Sequence, residues 1–157
     1  MRDRGDLPLL IYPRSSWVRE RLDPVNTLPN VHLEQIEDRI LARGLASYNL
    51  KIDHTSVGGA DLDTTDTRGW KFAHIIREQS APKGTGLAAY ILMIEAAHNA
   101  REAFIADTSL TPAAKRMWDR LVSAGVATVV RPPVYERDPN EPTIGFYVYG
   151  DIRVLHT

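Results

Sequence analysis

The chain has 157 residues, 43% of them hydrophobic and 25% charged, which is ordinary for one globular domain with its own core. Its 19 Lys and Arg against 20 Asp and Glu leave a formal charge of -1, so no overall field draws it to nucleic acid or to an anionic membrane surface. The absence of cysteine excludes disulfides, thiolate metal sites and a cysteine nucleophile, and makes a reducing, cytoplasmic setting the default expectation.

The N-terminal apolar piece, Leu7 to Tyr12, is short and contains Pro8, which fits neither a signal peptide nor a membrane anchor. Prolines at 8, 13, 24 and 29 predict an irregular segment over residues 1–30, packed on a single domain spanning 1–157. In VHLEQIEDRILARG, Leu33, Ile36, Ile40 and Leu41 recur at helical spacing and Gly44 stands where a C-cap would, so a helix is expected. ASYNLKID alternates as a strand does. HTSVGGADLDTTDTRG is turn-rich and reads as a link between strands, and WKFAHIIREQ reads as a strand with Phe72, His74 and Ile76 on one side.

The apolar run from Leu87 to about Ala100 predicts a largely buried helix, and REAFIAD a short strand centred on Phe104 and Ile105. SLTPAAKRMWDRLVSAG carries complete helix signals: Thr111 to cap, Pro112 preorganised at the first position and Gly125 to stop. Its apolar stripe is Ala114, Met117, Trp118, Leu121 and Val122. VATVVR and TIGFYVYG predict two strands, with a last piece in DIRVLHT. Together these elements describe an α+β fold, a mixed and mostly antiparallel sheet flanked by helices.

Before the buried helix stands Lys83-Gly84-Thr85-Gly86-Leu87. A glycine turn that follows a strand and opens a helix suits an anion: first-turn N–H groups lack helical partners, the helix dipole is positive there, and absent side chains admit phosphate oxygens. The Walker pattern does not fit, because Lys83 precedes the glycines, and a dinucleotide fingerprint would need Asp107 as its acidic residue without the surrounding parallel pattern.

The order of elements and these residues resemble the GCN5-related N-acetyltransferase (GNAT) family. The family's acetyl-CoA motif, (Arg/Gln)-x-x-Gly-x-(Gly/Ala), is similar to Ala81-Pro82-Lys83-Gly84-Thr85-Gly86, and FIAD followed by TPAAKRMWDRLVSAG resembles the family's C-terminal part. The resemblance covers about Leu50 to Gly150. It implies a GNAT-like acyl-CoA N-acyltransferase fold, acetyl-CoA as co-substrate with its diphosphate on Lys83, Gly84, Thr85, Gly86 and Leu87, and an amine acceptor, either a small molecule or a protein; it leaves room for a homodimer. Ala81 replaces the motif's leading Arg or Gln, Pro82 has no N–H, and Leu121 stands where the family often has a proton-donating tyrosine. These departures set beside the enzyme an alternative: a degenerate GNAT-fold binding or interaction protein, of the type carried by bacteriophages.

Amide formation from an amine requires a base, and the candidates upstream of the glycine turn are Glu78 and His74. Tyr147, with Tyr149 beside it, is the candidate acid for the departing thiolate. Asp61, Asp63, Asp66 and His54 are metal-ligand types, but DLDTTD lacks the glycine and distal glutamate of a calcium loop, and no metal is expected. Trp17 with Arg14, Arg19 and Arg21 could touch nucleic acid, yet Asp6, Glu20 and Asp23 dilute the charge, so nucleic acid is not favoured as a partner.

Overall fold

A computed structural model describes residues 7–14, 16–40 and 45–154, with backbone alone at 37–40. The chain divides into two compact units, Met1–Phe104 and Ile105–Thr157. Both are mixtures of helix and antiparallel sheet.

The first unit contains β1 (Leu10–Ile11), α1 (Trp17–Leu22), β2 (Val31–Ile40), β3 (Leu45–Ile52), β4 (Thr55–Asp63), β5 (Lys71–Arg77) and α2 (Thr85–Asn99). Its strands form one sheet in the order β1-β2-β3-β4-β5, every neighbouring pair antiparallel. Beyond β5 a single parallel bridge joins Trp70 to Phe104, and the Trp70 N–H donates to the Ala103 carbonyl at 2.8 Å. Helix α2 is buried on nearly every side, as its uninterrupted apolar run requires. Leu33, Leu50 and Leu62 are fully buried in the core of this unit, where Phe72, Tyr90 and Phe104 meet edge to face at centroid distances of 5.1–6.0 Å. Among the described residues, no helix is long and apolar enough to cross a membrane.

Three expectations are corrected here. Residues 31–40 form strand β2 in place of a helix: Val31 and Leu33 are buried while His32 and Glu34 are not, and β3 supplies partners, Leu33 opposite Leu50 and Gln35 opposite Tyr48. The spacing of three between Leu33 and Ile36 favours a helix, but the pairing strand decides. Leu41 and Gly44, the end of the expected helix, lie outside the described residues. The turn-rich reading of 54–69 gives way to β4, in which Gly58 serves close approach: a Cβ there would run into the Ile76 carbonyl oxygen of β5. The irregular N-terminal segment contains α1, whose Ser16 side chain accepts from the Arg19 N–H at 3.2 Å.

The second unit contains β6 (Ser109–Leu110), α3 (Pro112–Ser123), β7 (Ala127–Arg131), β8 (Val134–Asp138), β9 (Glu141–Val148) and β10 (Asp151–Val154). They make a β10-β7 pair and a three-stranded β6-β9-β8 sheet. The expected helix is present with its signals in place. Thr111 Oγ1 accepts from the Ala114 N–H at 3.1 Å. At the other end Gly125 takes φ 74°, its N–H donates to Val122 O, and the Val126 N–H reaches back to Leu121 O at 2.9 Å. Trp118 and Leu121 are the fully buried members of the stripe. FIAD is reduced to bridges, Ile105 pairing with Arg153 in this unit.

Candidate functional site

The glycine turn is built by carbonyls that hold one another in place. After β5, the Glu78 N–H donates to Val57 O at 2.9 Å and the Ala81 N–H to Glu78 O at 3.0 Å. Thr85 then closes on Pro82, its hydroxyl donating to Pro82 O at 2.6 Å and its N–H to the same oxygen at 3.2 Å. Gly84, the N-cap, is left-handed at φ 92°, ψ -3°, a conformation glycine reaches without cost to a side chain. The first intrahelical bond runs from the Ala88 N–H to Gly84 O at 2.9 Å. Among the described residues, the Gly86 and Leu87 N–H groups have no backbone acceptor, whereas the Thr85 N–H is occupied. Lys83 is exposed beside them.

The turn has a neighbour that the sequence did not advertise. A Cβ on Gly84 would stand 2.8 Å from Leu28 Cδ2 and 3.2 Å from Pro29 Cδ. The loop carrying Leu28 is held by Asp23, whose carboxylate accepts from the Thr27 N–H at 2.7 Å, the Thr27 hydroxyl at 2.8 Å and the Leu28 N–H at 2.9 Å. Arg19 lies 3.8 Å from the same carboxylate. Burial alone would raise the Asp23 pKa; the hydrogen bonds from Leu28 and Thr27, with the Arg19 charge, outweigh it and hold the carboxyl below its usual value.

The candidate base His74 lies on β5 with its Cα opposite Asp61 of β4, and Asp61 is in turn opposite Ser47 of β3. Ser47 is buried and its hydroxyl donates to Asp61 Oδ1 at 2.7 Å. Three strands thus set a hydroxyl, a carboxylate and an exposed imidazole in one row. A β-bulge makes this row: Asp61 pairs with His74 while the next residue, Leu62, pairs with Phe72, so Ala73 is the extra residue. The expectation that Phe72, His74 and Ile76 share a side fails at Phe72, which is buried with Leu62 while His74 and Ile76 are exposed. Asp61 was read as part of a linking loop; the signal that could have found it was the short alternation of Ala60 and Leu62 with Asp61 and Asp63.

Glu78 is exposed just past β5, on the path from His74 to the glycine turn. Tyr147 belongs to the second unit, on β9, with the Tyr135 ring edge-on at 5.1 Å and the Lys115 ammonium 5.1 Å from its own ring centre. Leu121 is fully buried. Most of the remaining sequence candidates have structural partners. Asp63 Oδ1 accepts from the Thr65 N–H and hydroxyl, and Asp66 is held by Arg68 and approached by Lys71 at 3.6 Å, the bond from Arg68 depressing its pKa far below the usual carboxylate range. Arg14 pairs with Glu95, Arg19 lies against Asp23, and Arg21 stacks over the Trp17 ring.

No protein-family model matches the chain, and no curated protein matches it in sequence. Solved structures do. An IAA acetyltransferase from Bacillus cereus is 9% identical, with a TM-score of 0.49 over 80% of this chain and 99% of that one. A mutant of the spermidine N-acetyltransferase SpeG from Vibrio cholerae is also 9% identical, with a TM-score of 0.49 over 93% and 92% of the two chains. A GNAT family acetyltransferase from Elizabethkingia anophelis with acetyl-CoA bound is 9% identical, with a TM-score of 0.45 over 73% and 77%. These three structures are acetyltransferases, at identities and TM-scores that leave function to be read from the chain's own residues.

Proposed function

We propose that the protein is an acyl-CoA-dependent N-acyltransferase that carries an acetyl group from acetyl-CoA to an amine. The observation that carries this reading is the left-handed Gly84 cap, followed by the Gly86 and Leu87 amides without backbone acceptors, at the head of a buried helix and directly after the strand bearing His74. The diphosphate of the co-substrate is received by those amides, with Lys83 adding charge. His74, on the strand that leads into the glycine turn, takes the proton from the acceptor ammonium. The neutral amine attacks the thioester carbonyl, the carbon–sulfur bond breaks, and the proton that the new amide nitrogen sheds is matched by the one the departing thiolate takes up. Glu78 is a second candidate base, and Tyr147 a candidate acid on the chemistry of its phenol alone.

Isothermal titration with acetyl-CoA tests the reading. Wild-type protein binds, and Lys83→Glu, which sets negative charge beside the amides at an exposed position, weakens binding while circular dichroism stays native. A folded wild-type protein without affinity for acetyl-CoA refutes it. A second reading, a non-catalytic binding module, is favoured by Ala81, Pro82 and the buried Leu121. It expects binding without thiol release in the presence of amines.

A further inference from the structure

A cavity of about 510 Å³ opens on the first unit, on the sheet face that carries His32 and Glu34 in alternation with the buried Val31 and Leu33. It has two unlike walls. Leu10, Tyr12 and Pro13, from β1 and the residues after it, make the apolar one. The Tyr12 ring stacks on His32 at a centroid distance of 5.3 Å and an angle of 27°, and Tyr12 is still 56% exposed. The polar wall is built by His32 and Glu34 of β2, Lys51 of β3, Asn30 just before β2, and Asp53-His54, the two-residue turn that joins β3 to β4. Asp53 takes left-handed backbone there at φ 54°, which a short polar side chain tolerates.

Lys51 Nζ pairs with Glu34 Oε2 at 3.2 Å, so these two charges answer each other. Among the described residues, the side chains of Asn30, Asp53 and His54 make no hydrogen bond or ion pair, and their polar atoms are open to a ligand. Two carboxylates, one ammonium and two imidazoles leave no dominant sign, which disfavours a strongly charged ligand. The wall mixes donors and acceptors: the ammonium only donates, the carboxylates only accept, and the amide and imidazoles do both. A hydroxyl donates and accepts from one atom, and is the group such a wall matches. We infer that this cavity binds a neutral pyranose sugar, whose C–H face lies on the Tyr12 ring while its hydroxyls meet Asn30, Asp53 and His54. The volume suits a ligand of that size. A flat heterocycle would need apolar contact on both faces, and only one wall supplies it.

The site is separate from the proposed transfer. Among the described residues, none of the glycine turn or of β5 lines the cavity. His32 on β2 and His74 on β5 are three strand spacings apart, roughly 14 Å. Sugar binding therefore needs neither acetyl-CoA nor the diphosphate amides.

The test is a titration of the full chain with the methyl glycosides of D-glucose, D-galactose and D-mannose, followed through backbone amide shifts by NMR. Cyclohexanol and nicotinamide serve as controls, an apolar ring and a flat heterocycle. At least one glycoside binds saturably and more tightly than either control, with shifts centred on residues 10–13, 30–34 and 51–54. Tyr12→Ala weakens that glycoside about tenfold or more and His54→Ala about threefold, the scales of a lost ring platform and of one neutral hydrogen bond. Both positions are exposed, so the fold is retained in each variant. No saturable glycoside binding, tighter binding of either control, shifts centred elsewhere, or unchanged affinity in either variant overturns the proposal.

Discussion

Gly84 and Gly125 both hold left-handed backbone, at φ 92° and 74°, so alanine at either position incurs the same conformational penalty of roughly 1–2 kcal/mol. Their surroundings differ. Nothing lies within 4 Å of a Cβ added at Gly125, whereas at Gly84 that atom meets Leu28 Cδ2 at 2.8 Å and Pro29 Cδ at 3.2 Å. The leucine can rotate away at a cost of about 0.5–1.5 kcal/mol, but the proline ring has no comparable freedom. Gly84→Ala is therefore expected to lose about 2–3 kcal/mol and Gly125→Ala about 1–2 kcal/mol, measured by equilibrium urea unfolding. Acetyl-CoA titration separates them further: Gly84→Ala loses affinity because the first-turn amides are displaced, and Gly125→Ala keeps it. Equal stability losses would refute the packing of Leu28 on the turn. Wild-type affinity in a Gly84→Ala protein destabilised by the expected amount would refute the placing of the diphosphate there.

Three further outcomes follow from the geometry. Leu121→Ala, in the fully buried core of the second unit, lowers unfolding free energy by about 2–5 kcal/mol in the same assay. Asp23 has a folded pKa below its unfolded value, so it adds stability that is complete above the unfolded pKa of about 4 and fades as pH falls through the folded one. The difference in melting temperature between wild type and Asp23→Asn should accordingly be widest near neutral pH and narrow below about pH 4; a gap that widens on acidification contradicts the hydrogen-bonded carboxylate. His74→Ala lowers thiol release from acetyl-CoA, assayed over a panel of amines, by about a hundredfold or more.

The helices with local signals could be read directly. Thr111, Pro112 and Gly125 mark α3, and the apolar run marks α2, because caps and burial on all sides need no distant partner. The glycine turn before α2 was legible for the same reason, but the expectation of free amides across residues 83 to 87 fails at Thr85, whose N–H is taken by Pro82 O. Where a distant strand decides, the reading failed. Leu33 and Ile40 fit a helix until β3 pairs with them at Leu50 and Ala46, and Gly58 with Gly59 looks like a turn until β5 is seen lying against it. The bulge at Ala73 adds one residue and changes which neighbours share a face, so the row of Ser47, Asp61 and His74 could not be inferred from alternation alone.

The loop gathered by Asp23 gives the head of α2 a backstop drawn from a remote, upstream part of the chain. Shape at the glycine cap is consequently a shared property: whatever loosens the carboxylate's grip on Thr27 and Leu28 also unseats the surface against which Gly84 rests. Insertions between α1 and β2, though outside every regular element, would be felt at the mouth of the helix.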